Sequence, residues 1–192
     1  MKTRAIAVAA LAAAVLAGGG AIAVSAIQPP VAAPDLRSEL ATFRDVCIAP
    51  ASHGDILRKA RATGWTALEG QAVPSLLVGN GMVSLQEVRE GEIDGRPVLL
   101  SVGRLGGGSF CRIYFKPADP AATVARLKAE TVLGSPLGAP DFDDKLNYPE
   151  GWKAIGWHRS VADDWRALHY SFDPDGQGSN ADWQAIEITR EI

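Results

Sequence analysis

WKAIGWHRSVADDWRALHYSF, residues 152–172, holds two runs of alternating character around one short polar break. In the first run Ile155 and Trp157 share one face, and Trp152, Ala154 and His158 share the other. In the second, Leu168, Tyr170 and Phe172 oppose Trp165, Ala167 and His169. Period-two alternation of this kind marks half-buried strands, and the polar break between the runs makes them a hairpin. Because side chains alternate strictly, matching the two apolar faces fixes the parity of the pairing. A turn centred on Asp163-Asp164 sets Trp157 against Tyr170, Ile155 against Phe172 and His158 against His169. The tail supplies a third strand in which Ile186 and Ile188 join the apolar face. If Tyr170 opposes Ile186, Glu187 stands beside His169. The three strands are expected at about 152–160, 165–172 and 183–190.

The polar face of this meander is the candidate site. Two imidazoles and a carboxylate in one row, His158, His169 and Glu187, are a ligand set that holds zinc and leaves a position open for water. A solvated sheet face with ordinary cross-strand polar pairs has the same sequence pattern. The turn between the last two strands, FDPDGQGSN (172–180), carries Asp173, Asp175 and Gly178 at the spacing of a calcium loop. Such a loop needs a bidentate glutamate at its twelfth position and flanking helices. Here Gln184 stands at that position and strands flank the segment, so it is read as a polar hairpin turn, with weak calcium binding at Asp173 and Asp175 as the lesser alternative.

Upstream, the period changes. Leu36, Leu40, Phe43 and Cys47 mark one face of a helix that starts at Asp35 and ends before Pro50. Ser52 and Asp55 form a capping box for a second helix, closed by Gly64. His53, in that capping turn, is expected to be exposed. Between about 75 and 116, Asn80-Gly81, Asp94-Gly95 and the glycines at 106–108 punctuate three strands. The run GRLGGGSF lacks a following Lys-Ser/Thr and precedes a strand, which makes it a hairpin tip rather than a phosphate loop. Asp119 and Pro120 start a third helix with Val124, Leu127 and Thr131 on one face, stopped by Gly134 and Pro136. Residues 134–151 read as an irregular connection with an acidic patch at Asp141, Asp143 and Asp144.

The expected fold is therefore α+β. It has a mostly antiparallel sheet of about six strands and three helices packed mainly on one face, in the order αα-βββ-α-βββ.

The N-terminus sets the compartment. MKTR is a positive n-region, residues 5–17 are apolar, and small residues at 21–26 offer cleavage after Ala23 or Ala26. An uncleaved anchor is the alternative, since Ala5 to Ile27 carries no charge. The expected organisation is a signal peptide over 1–26, a Pro-rich lead over 27–34 and one domain over 35–192, periplasmic or secreted, with no membrane span after cleavage. In that setting two cysteines, Cys47 and Cys111, read as one structural disulfide.

Composition excludes little else. Hydrophobic residues at 47% and charged residues at 21% describe a globular chain, and the net charge of −3 with no Lys/Arg run points away from nucleic acid. No G-x-S-x-G, H-E-x-x-H or S-x-x-K occurs. The expectation is a non-enzymatic exported module that binds a protein or a small ligand. Three of its five tryptophans, Trp152, Trp157 and Trp165, cluster near one hairpin. The alternative is a metal-dependent hydrolase built on the His158/His169/Glu187 face.

Overall fold

The computed structural model describes residues 36–78, 83–132, 134–145, 149, 151–161, 164–178 and 180–191. The expected signal peptide and Pro-rich lead, the expected cap at Asp35, the expected turn at Asn80-Gly81 and Asp163 lie outside the described residues.

Helix α1 (Arg37–Phe43) runs directly into a π-helical turn, Arg44–Ile48. Its expected face, Leu36, Leu40, Phe43 and Cys47, is buried, and the wider π turn brings Val46 and Ile48 in as well. Glu39 is buried beside them and meets Arg96 at 2.6 Å; Arg96 also donates to the Lys116 carbonyl. At the far end the guanidinium of Arg190 donates to the carbonyls of Cys47, Ile48 and Pro50, groups that a helix end leaves unpaired. Helix α2 (His53–Ala62) starts with the expected capping box and buries Ile56 and Ala60. His53 is half-buried rather than exposed, because its Nε2 meets Gln86 Oε1 on the neighbouring strand.

The sheet has strands β1 (Thr66–Ala67), β2 (Val83–Ile93), β3 (Arg96–Leu105), β4 (Gly108–Phe115), β7 (Phe142–Lys145), β8 (Lys153–Val161), β9 (Asp164–Phe172) and β10 (Gln184–Glu191). β5 (Thr131–Val132) and β6 (Ser135–Pro136) form a separate two-stranded ribbon. In space the order is β1-β2-β3-β4-β10-β9-β8-β7, antiparallel throughout. Two meanders, β2–β4 and β8–β10, thus join along β4 and β10. Asp94 and Gly95 have φ of 51° and 73°, the left-handed pair that a two-residue hairpin turn needs. Helix α4 (Pro120–Leu127) is capped by the Asp119 carboxylate, which accepts the Ala122 N–H at 2.7 Å. It ends earlier than expected: Thr123 and Leu127 are its buried residues, while Thr131 is exposed in β5.

The expectation of six strands and three helices is corrected: the described residues form eight strands in the main sheet, two in the ribbon and four α-helices. The six long strands lie where the alternation places them. The two additions to the sheet, β1 and β7, are its outer edges, with two and four residues. The added helix, α3 (Ser75–Val78), has four. Segments this short show no period to read. Helix α3 also breaks the expectation of helices mainly on one side. The main core, which includes Leu40, Phe43, Leu100, Ile113, Trp157 and Tyr170, lies under α1, α2 and α4. Leu76 and Leu77 of α3 pack on the opposite face with Val88, Leu99, Tyr114, Trp152 and Ala185.

The Cys47–Cys111 disulfide is present, with Cα atoms 5.4 Å apart, and ties the π turn to β4. The described residues belong to one compact unit spanning 33–192. Among them no helix is long and apolar enough to cross a membrane.

Candidate functional site

Strand register assembles the site. On the face opposite α1 and α2, Ser101 of β3 pairs with Arg112 of β4, Arg112 with Glu187 of β10, and Glu187 with His169 of β9. His169 pairs with Gly156 of β8, and Gly156 with Phe142 of β7. One polar row thus crosses the sheet from β3 to β9 and ends under an aromatic ring.

Tyr170 opposes Ile186 and His169 opposes Glu187, as face matching predicts. The β8–β9 pairing is corrected by one step of two residues. Trp157 opposes Leu168, Ile155 opposes Tyr170, and His158 opposes Ala167. Asp164 is the first residue of β9, paired with Val161, so the turn sits one residue earlier than its two aspartates suggest. The faces survive because a shift of two preserves parity. The histidines become diagonal neighbours, with ring centroids 6.5 Å apart.

Glu187 is buried, and its charge is met within the sheet. Arg112 donates to Oε2, and the Thr189 hydroxyl donates to Oε1 at 3.1 Å. His169 Nδ1 stands 3.7 Å from Oε1. Burial by itself would raise the Glu187 pKa. The Arg112 charge, with His169 adding in the same direction, overrides it and holds the carboxyl at about 2. Arg112 in turn donates to the Tyr114 hydroxyl at 2.7 Å and lies between the Phe110 and Tyr114 rings, 5.4 and 5.6 Å from their centroids. Burial opposes its charge, but Glu187 keeps it protonated.

Beyond this pair four rings gather. Phe142 lies 5.2 Å from His158 and 5.3 Å from His169, and His158 lies 5.5 Å from Trp165. Phe142 reaches this position because Gly156 has no side chain: a Cβ there would fall 1.9 Å from the Phe142 ring. His158 is exposed, and Phe142, Trp165 and His169 are half-buried.

As a metal site the row offers two imidazoles and no free third ligand. Both Glu187 oxygens already accept hydrogen bonds, and a guanidinium sits against the carboxylate. Phe142 also touches both histidine rings. Among the described residues no group of three or more His, Cys, Asp or Glu side chains converges as a metal ion requires.

The 173–178 segment uses Asp173 as its own anchor. The carboxylate accepts the N–H groups of Gly178 at 2.7 Å, Asp175 at 3.0 Å and Gly176 at 3.1 Å. These bonds, that of Gly178 foremost, hold the Asp173 pKa below its ordinary value. This is the geometry of an Asx turn.

Sequence reasoning missed Phe142 and Arg112. Each had a signal. A lone glycine inside AIGWH marks a close approach by another group. A lone arginine in FCRIYF, a strand apolar on both sides, requires a buried acidic partner. Compared with known proteins, the chain matches no family model, no characterised protein and no solved structure.

Proposed function

We propose that the protein is an exported, non-enzymatic binding module that recognises its partner through the ring cluster Phe142, His158, Trp165 and His169. The observation that carries this reading is the placement of four contacting rings, partly open to solvent, on a sheet face. Aromatic side chains offer large contact area at small entropic cost, and the imidazoles add directional donors and acceptors. The Arg112–Glu187 pair beside them supports the platform without placing a free charge on it. The signal-like N-terminus and the buried disulfide are both consistent with the periplasm or the extracellular space. The hydrolase alternative has less support, because its carboxylate is committed to Arg112.

The test is a titration of isotope-labelled protein with a panel of short peptides and oligosaccharides, followed by amide shifts. Binding is expected to perturb Phe142, His158, Trp165 and His169 together, and a His158→Ala/Trp165→Ala variant is expected to lose it. A ligand footprint elsewhere would overturn the proposal. So would zinc-dependent hydrolysis of an ester or peptide that His169→Ala abolishes.

A further inference from the structure

Strand β8 is nine residues long, but β7 covers only its first four, Lys153 to Gly156. In an antiparallel strand alternate residues turn both backbone groups to the same side. Gly156 faces β7 and accepts the Asp141 N–H at 2.8 Å, so His158 and Ser160 face outward as well. β7 does not extend to meet them. Continued upstream, it would place Pro140 opposite His158, and proline has no N–H to offer the His158 carbonyl.

Two side chains stand in for the missing strand. The Asp141 carboxylate accepts the His158 N–H at 2.6 Å, as a neighbouring carbonyl would. The Arg159 guanidinium donates to the His158 carbonyl, as a neighbouring N–H would. Arg159 also donates to Asp141 at 3.2 Å and to the Leu137 carbonyl, which holds the clamp against the chain leading into β7. The next outward residue, Ser160, is exposed, and among the described residues its outward backbone groups have no partner. The opposite margin of the sheet is protected differently, by β1 laid against β2.

We propose that the outer edge of β8 from His158 to Ser160 is a strand-pairing surface for a second copy of this chain, held shut by Asp141 and Arg159. An uncovered edge is a template for an identical edge, since β8 laid antiparallel against its own copy presents donors to acceptors about a twofold axis. Charged side chains that cap the edge's own backbone groups remove that template. The clamp also fixes the backbone under His158, but the inference does not depend on what the His158 ring binds.

Sedimentation equilibrium on the full domain tests it, with far-UV circular dichroism to confirm folding. Wild type is expected to be monomeric, and Asp141→Ala/Arg159→Ala to self-associate at least about tenfold more tightly. Asp141→Asn keeps an acceptor for the His158 N–H and is expected to stay monomeric. Adding Ser160→Pro to the double variant is expected to restore the monomer. The N–H it removes points away from β9, so the β8–β9 ladder keeps its bonds. Should the double variant not fold, Arg159→Ala alone frees the His158 carbonyl and is read in the same way. A folded clamp variant as monomeric as wild type overturns the proposal, and so does association that survives Ser160→Pro.

Discussion

On the face under α1, α2 and α4, the central strands present Val102, Cys111, Ile188, Leu168 and Trp157, one across from the next. One residue along each of these strands, the opposite face presents Ser101, Arg112, Glu187, His169 and His158. The same backbone carries both series. The first is held by apolar burial, which is non-directional and tolerant of detail. The second sets a half-buried guanidinium against a buried carboxylate, which is tolerable because each neutralises the other and their remaining hydrogen bonds are made. The first row therefore contributes more to stability than the second, although the second's face also carries the smaller apolar cluster of Leu76, Leu77, Leu99, Tyr114 and Trp152. The second row is specific in geometry and contributes less net stability.

The largest expected effect tests the apolar face. Trp157 is fully buried, and its Nε1 donates to the Gly138 carbonyl at 3.0 Å. Trp157→Ala is expected to cost about 4 kcal/mol in urea unfolding, while Trp165→Ala, half-buried on the other face, should cost about 1 kcal/mol. Equal costs would erase the contrast between the faces.

That contrast was partly legible in the sequence. The alternation of Ile155, Trp157, Leu168, Tyr170, Ile186 and Ile188 separates the two faces without ambiguity, and with only two cysteines the disulfide has one possible pairing. The β9–β10 parity was legible, and Tyr170 against Ile186, one of the registers that parity allows, is the one the sheet adopts. The β8–β9 register was not: Trp157 packs as acceptably on Leu168 as on Tyr170, and alternation cannot separate registers that differ by two. β7 was hidden because Phe142 is the one apolar residue in Phe-Asp-Asp-Lys. Its reason for being a strand lies in Gly156, fourteen positions away in the chain.

The second expected effect concerns the Arg112–Glu187 pair. Glu187→Gln leaves the half-buried Arg112 charged beside a neutral amide, and is expected to cost roughly 2 kcal/mol at neutral pH. The pH dependence follows from the depressed carboxyl. Unfolded, Glu187 titrates near 4.5; folded, near 2. Its contribution is therefore fully present above about pH 4.5 and is lost as pH falls toward about 2, because the unfolded state takes up the proton first. Subtracting the Glu187→Gln stability curve from that of wild type should isolate this decline from the titration of other carboxylates. A difference curve that is flat between those pH values would mean that the Arg112–Glu187 contact is not formed in solution.

The smallest expected effect is at the histidines, and it decides whether the ring cluster is part of the core. His158 is exposed, and it is its backbone N–H, not its ring, that Asp141 holds. The His169 side chain is 28% exposed and lies 3.7 Å from Glu187, too far for a direct hydrogen bond. Removing either ring leaves Glu187 bonded to Arg112 and Thr189, and opens no cavity that solvent cannot fill. His158→Ala and His169→Ala are each expected to change unfolding free energy by less than about 1 kcal/mol, the range of surface substitutions that break no named support. Urea titration at pH 7 gives the comparison with Glu187→Gln. If His169→Ala costs as much as Glu187→Gln, the imidazole belongs to the buried charge network. The ring cluster would then be a structural cap on that network, and the proposed recognition surface would shrink to Phe142, His158 and Trp165.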